Sequence, residues 1–206
     1  MATTKGPLMS LDASGSLADT IVYSKWKGRN YVRQHVIPSN PKTGLQVGMR
    51  SMMRFVTQIW ATLSLIIQDR WKVVADPLSI TPLNAMVQLN QERVRQDFGS
   101  VQDPTLAEGA VEAAPTVPVA TAQIKSLKLT WVDSAGADDW CTFIYMDATG
   151  VVTPGPSNLI RIIPTGDQQF VVTGLTTGTT YHFKLKGCEK GGTLGTATAD
   201  FTGVPL

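Results

Sequence analysis

The apolar residues of this chain keep two different rhythms, and the change falls between residues 99 and 122. From Leu45 to Phe98 they recur every three or four positions, as on helices that bury one stripe. From Gln123 onward they alternate every second position, in short runs separated by turn residues, as in antiparallel strands. The stretch between carries Pro104, Pro115 and Pro118 among Ala, Val, Gly and Glu, a linker composition. The pattern predicts an α+β chain of two domains, a hairpin and three helices followed by a β-sandwich.

In the helical half, Leu45, Met49, Met52, Val56, Ile59 and Leu63 form the expected buried stripe, with Arg50, Arg54 and Gln58 elsewhere on the wheel. Met49, Met52, Met53 and Phe55 read as core, with an adaptable docking surface as the alternative. Thr43-Gly44-Leu45-Gln46 fits a capping box. Ser64 opens a second helix that reaches about Ala75 and stops at Asp76-Pro77. Thr81-Pro82 opens a third, running to about Phe98 with Gly99 as its C-terminal cap.

Ahead of the helices, Thr20 to Trp26 and Tyr31 to Ile37 are β-branched and aromatic, and Lys27-Gly28-Arg29-Asn30 between them supplies a hairpin turn. Alternation sets Tyr31, Arg33, His35 and Ile37 on one face and Val32, Gln34 and Val36 on the other. Pro38 ends the ladder, and Asn40-Pro41 keeps the chain extended. Residues 1–19 are rich in Gly and Ser, with Leu8, Met9, Leu11 and Leu17 to bury. They read as an extended arm ordered by packing on something else, such as a neighbouring subunit. The expected divisions are an arm at 1–19, a basic hairpin and helical docking domain at 20–98, a linker at 99–122 and a sandwich at 123–206.

The sandwich strands are expected from Gln123 through Trp131, then at 140–146, 158–163, 168–173, 180–186 and 195–201. The run Leu175-Thr-Thr-Gly178-Thr-Thr-Tyr181 resembles the fibronectin type III pattern before that family's sixth strand. The resemblance covers about 80 residues and makes Tyr181 the tyrosine-corner residue and Trp131 the core tryptophan of a fibronectin type III or immunoglobulin-like sandwich.

Charge divides as the periods do. Residues 1–100 hold 12 Lys/Arg and 6 Asp/Glu, and residues 101–206 hold 6 and 10, so a net +2 conceals a basic and an acidic half. Only 17% of the 206 residues are charged, which suits a chain packed against neighbours. The longest near-candidate for a membrane span, Ile59 to Ile67, is far short of the roughly 20 residues required and contains Thr62 and Ser64. The first residues lack a secretory apolar core, so synthesis in the cytoplasm without export is expected. Cys141 and Cys188 are read as two reduced core thiols.

Catalytic constellations are not found. His35 lies in the hairpin and His182 follows the corner tyrosine, both read as structural. Cys188 is six residues from His182 along strand and turn. Asp133, Asp138 and Asp139 share one loop, read as solvating a turn or meeting a stray cation. No spacing suits zinc, an EF-hand or a phosphate-cradling glycine loop. No enzymatic activity and no cofactor are expected.

From Thr20 to Gln68 there are seven cations (Lys25, Lys27, Arg29, Arg33, Lys42, Arg50, Arg54) and no acid, with Trp26 and Tyr31 interleaved. Aromatic rings beside cations suit either nucleic acid or a protein partner. The near-neutral total favours protein. The expected interface residues are Lys25, Trp26, Lys27, Arg29, Tyr31, Arg33, Arg50 and Arg54.

The run Trp26-Lys27-Gly28, Tyr31, Arg33, Pro38, Asn40-Pro41, Thr43, Gln46, Arg50, Phe55, and later Trp71 and Asn84, resembles a family of small tailed-bacteriophage and prophage proteins. These share a Trp-Lys-Gly hairpin followed by an Asn-Pro-x-Thr-x-x-Gln helix start, and the match spans about residues 6–98. The resemblance implies a virion structural protein present in many copies, contacting capsid or tail proteins. Its expected role is capsid decoration or head association, with the sandwich projecting. A tail, baseplate or fibre-attachment component, or a module binding host-surface carbohydrate, is the alternative. Nucleic acid is the less favoured partner, and no membrane partner is expected.

Overall fold

The computed structural model describes residues 3–4, 13–17, 20–27, 29–37, 39–40, 42–111, 113–134, 136 and 139–206. The chain divides into two compact units, Met1–Pro41 and Lys42–Leu206.

The first unit is a four-stranded antiparallel sheet in chain order, β1 (Thr3–Thr4), β2 (Ala13–Leu17), β3 (Ile21–Trp26) and β4 (Arg29–Gln34). The hairpin register runs from Ile21 opposite Gln34 to Trp26 opposite Arg29. Arg29 and Asn30, expected in the turn, are already paired, so the connection is two residues long. Lys27 takes φ +47°, the left-handed conformation that such short connections require. The returning strand ends at Gln34, before the expected Ile37, and the His35 N–H donates to Thr20 O at 2.7 Å. The arm is extended where it is described, but its partner is its own chain: β2 pairs with β3 from Gly15–Tyr23 to Leu17–Ile21. The expectations for Leu8, Met9, Leu11, Gly28, Pro38 and Pro41 lie outside the described residues.

In the second unit come α1 (Gly44–Trp60), α2 (Leu65–Ala75) and α3 (Pro82–Arg95), with a short 3₁₀ turn at Asp76–Leu78. Thr81 caps α3 as expected, accepting from the Asn84 N–H at 3.3 Å. Thr43 and Ser64 occupy N-cap positions without a side-chain hydrogen bond, so the capping box does not form. The α3 terminus is turned by Asp97 at φ +64°, two residues before Gly99, and Phe98 N–H donates to Arg93 O.

The buried face of α1 is rotated from the expected stripe. It consists of Gly48, Ser51, Met52, Phe55 and Val56, while Leu45 is 49% exposed. The reason is contact with a strand. A Cβ on Gly48 would stand 3.1 Å from Pro156 O and 3.2 Å from Leu159 O, and the Ser51 hydroxyl accepts from the Ile162 N–H at 2.8 Å. Small residues let the helix backbone approach, and counting only apolar positions overlooks them.

Eight strands complete the unit: β5 (Thr116–Gln123), β6 (Ser126–Val132), β7 (Asp139–Asp147), β8 (Leu159–Pro164), β9 (Gln169–Thr173), β10 (Tyr181–Glu189), β11 (Leu194–Ala197) and β12 (Phe201–Gly203). They form two antiparallel sheets, β5-β6-β9 and β11-β10-β7-β8, with β12 also on β10. Leu127, Leu129, Trp131, Ile144, Phe183 and Leu185 fill the space between the sheets. Tyr181 is buried, and its hydroxyl accepts from the Thr176 N–H at 3.1 Å, the bond a tyrosine corner makes.

The second sheet is covered on its other face as well. Met52, Phe55, Trp71 and Met86 from the helices share one core with Trp140, Phe143, Tyr145, Leu159 and Ile162. This explains why Trp140 through Tyr145 are consecutively buried instead of alternating. Helices and sandwich therefore belong to one three-layered unit, and the division falls at Pro41/Lys42 rather than within 99–122. Half of the expected linker is structural. Ser100, Val101 and Asp103 are buried, and Thr116–Gln123 is a strand. The Asn90 amide donates to Met86 O and Val101 O, and its carbonyl oxygen accepts from Ser100 Oγ. Trp140 Nε1 donates to Ser100 O at 2.9 Å, and Trp71 Nε1 to Gln102 O at 2.8 Å. Proline content identified an extended segment here but not what it packs on.

Candidate docking and anion surfaces

The expected interface residues fall in two places. Lys25, Trp26, Lys27, Arg29, Tyr31 and Arg33 belong to the first unit, on β3, β4 and their turn. Arg50 and Arg54 belong to the second, on α1.

On the hairpin, two-residue spacing places alternate side chains on opposite faces, yet every residue from Tyr31 to Gln34 is exposed. Trp26 is 65% exposed, with the Lys27 ammonium 4.8 Å from its ring centroid. Val32, Val36 and Ile37 add apolar surface, and Ile37 is 80% exposed. Lys25, Lys27, Arg29 and Arg33 are exposed and make no ion pair among the described residues. Large rings beside unpaired cations provide the anchors that protein interfaces use.

On the second unit, Arg50 and Arg54 stand four residues apart on one helix face. Like charges at that spacing cost roughly 0.2–0.5 kcal/mol in an isolated helix. They line a cavity of about 300 Å³ together with Lys42, Val47, Ser51, Ile160 and Arg161. Arg50 also borders a second cavity of about 430 Å³ with Leu45, Gln46, Met49 and Arg95. Arg161 extends from β8, its guanidinium carbon 5.5 Å from the Phe170 ring centroid. Its Nε is buried without a hydrogen-bond partner among the described residues. Burial first, and repulsion from Arg54 second, pull its pKa down. Lys42 was one of the seven cations noted in the sequence, but Arg161 lies in the acidic half, 107 positions from Arg54. The one signal it offered was a charge inside the apolar run Leu-Ile-Arg-Ile-Ile.

The groups considered for catalysis are held in structural bonds. His182 Nδ1 is 2.7 Å from Asp200 Oδ2, and Asp200 Oδ1 accepts from the Val152 N–H. His182 and Cys188 are six residues apart on the extended β10, which is about 20 Å. Cys188 faces Cys141 across the β7–β10 ladder, both thiols are buried and free, and Cys188 Sγ donates to Ser100 O. Burial first, and the neighbouring Cys188, push the Cys141 thiol pKa well up. Asp133 joins two loops, accepting from Trp131 Nε1, Thr142 Oγ1 and the Gly166 N–H. Asp139 accepts from Ser134 Oγ, and Asp138 lies outside the described residues. Among the described residues no group of three His, Cys, Asp or Glu is placed to hold a metal ion. No helix among them is long and apolar enough to cross a membrane.

No protein-family model matches the chain, and no curated protein does. Solved structures similar to it include a β-1,2-glucanase from Parabacteroides distasonis, at 12% identity and TM-score 0.42, over 50% of this chain and 14% of that one. A human fibronectin type III domain is similar at 15% identity and TM-score 0.39, over 47% of this chain and 75% of that one. An Fn3-like protein from Clostridium thermocellum is similar at 20% identity and TM-score 0.37, over 47% and 96%.

Proposed function

We propose that this chain is a non-enzymatic structural component of a bacteriophage particle, a capsid-decoration or head-associated protein that docks through its hairpin. The observation that supports this most is the exposed hairpin: Trp26, Tyr31, Val32 and Ile37 open to solvent beside four cations without ion-pair partners among the described residues. A surface of that composition is costly to leave uncovered and suits an acidic protein partner. The resemblance of residues 6–98 to small tailed-phage proteins supplies the particle. The helix–sandwich unit is then the part displayed, and its sandwich is of fibronectin type III kind, with Tyr181 in the corner bond and Trp131 in the core.

A glycan-binding role would call for exposed aromatic rings on a sandwich face. Trp131, Trp140, Tyr145 and Tyr181 are instead buried, so this reading gains no support.

The test is quantitative protein analysis of gradient-purified particles from a phage that encodes this chain. The expected result is a fixed ratio of many copies per particle, released together with head proteins. Absence from purified particles would overturn the proposal.

A further inference from the structure

Lys42 just before α1, Arg50 and Arg54 along α1 and Arg161 on β8 converge on one concave site from segments far apart in sequence. Among the described residues none of the four makes an ion pair, and no acid lines the cavity. A solvated cationic face would leave its charges spread and hydrated. Here one guanidinium lies 5.5 Å from the Phe170 ring centroid, partly buried, and its Nε has no hydrogen-bond partner among the described residues. A buried N–H that lacks an acceptor calls for one. Arginine forks match the oxygens of a tetrahedral oxyanion, and several of them suit a doubly charged group better than a single carboxylate.

We propose that the cavity bounded by Lys42, Arg50, Arg54 and Arg161 is a binding site for a phosphate group, free or as a monoester. It is built entirely within the helix–sandwich unit and does not rest on the docking role of the hairpin. Two of its members, Arg50 and Arg54, were expected to meet a protein. Their geometry points to a small oxyanion instead. The helix supplies the exposed cations, and the strand supplies the pre-positioned, partly desolvated one.

The experiment is thermal unfolding of the full chain at pH 7.5, where a phosphate monoester carries nearly two charges. Inorganic phosphate, ribose 5-phosphate, glutarate and chloride are compared at matched ionic strength. At ligand tenfold above its Kd the midpoint should rise by about 3 to 6 °C in phosphate, ribose 5-phosphate or both. A rise in the ester alone assigns the site to esterified phosphate, and a rise in inorganic phosphate shows that the free ion suffices. Arg54→Gln and Arg161→Gln should each weaken the apparent Kd about tenfold. Arg54 is exposed, so its variant remains a fair test if Arg161→Gln fails to fold. Lys72→Gln, on the exposed side of α2, should leave the shift unchanged. Equal shifts in glutarate or chloride, or a phosphate shift that survives Arg54→Gln, would overturn the proposal.

Discussion

The ring of Phe55, on α1, lies 4.8 Å from that of Trp140, on β7, with their planes tilted by 57°. This contact joins a helix to a strand 85 positions later and marks the interior of a core that both halves of the second unit share. Phe55→Ala is expected to cost about 3–5 kcal/mol, a large part of the 5–15 kcal/mol typical of a folded domain. In urea, the helical far-ultraviolet signal and the near-ultraviolet aromatic signal should fall together in the parent and in the variant. Two separate transitions would mean that helices and sandwich fold independently.

Asn90 is the buried polar residue that holds the segment after α3 in place. Its carbonyl oxygen accepts from Ser100 Oγ and the Val101 N–H, and its amide donates to Met86 O and Val101 O. Asn90→Leu keeps the approximate size but strands those groups away from water, so a loss of about 2–4 kcal/mol is expected. Chemical denaturation measures it, and a loss below about 1 kcal/mol would show that the segment is held by something else.

Much of this is legible in the sequence. The three helix starts, the order of helices before sandwich and the buried cysteines follow from period, turn residues and spacing, and the Tyr181 corner follows from the fibronectin type III resemblance. β5, read as linker, and β2, read as part of an arm, do not. The shared core was not legible, because its closest approach uses Gly48 and Ser51, which carry no hydrophobic signal, and because β7 reads the same whether one face or both are covered. The proposed phosphate site was partly legible. Lys42, Arg50 and Arg54 stood out as cations without acids, whereas Arg161 came from a strand whose neighbours on the helix no local pattern reveals.

Asp103 gives the unit an acid-sensitive tie. Burial alone would raise its carboxyl, but hydrogen bonds from the Thr105 N–H and hydroxyl, together with Arg70, outweigh that and hold its pKa below the ordinary value. A folded-state pKa lower than the unfolded one contributes stability above the unfolded value, and that contribution is lost as pH falls through the folded one. Asp103→Asn should therefore lower the melting midpoint at pH 7, and the gap to the parent should close as pH falls below about 4. A gap that stays constant with pH would contradict this.

Both thiols should be inert in the native protein. Cys141 and Cys188 are 1% and 0% exposed, and burial holds the Cys141 thiol protonated. At pH 8 a disulfide reagent is expected to leave them unmodified over the time in which it titrates two thiols after denaturation. Rapid native labelling would show that β7 and β10 open readily.

The docking role is tested most directly by reversing the hairpin's charge and following the chain into particles. Lys25, Lys27, Arg29 and Arg33 are all exposed, so replacing the four together with Glu should leave the helix–sandwich unit folded, with an unchanged circular dichroism spectrum. The quadruple variant is predicted to be absent from gradient-purified particles, while the parent, produced alongside it, is incorporated. Incorporation of the variant at the parent's level would contradict docking through this surface.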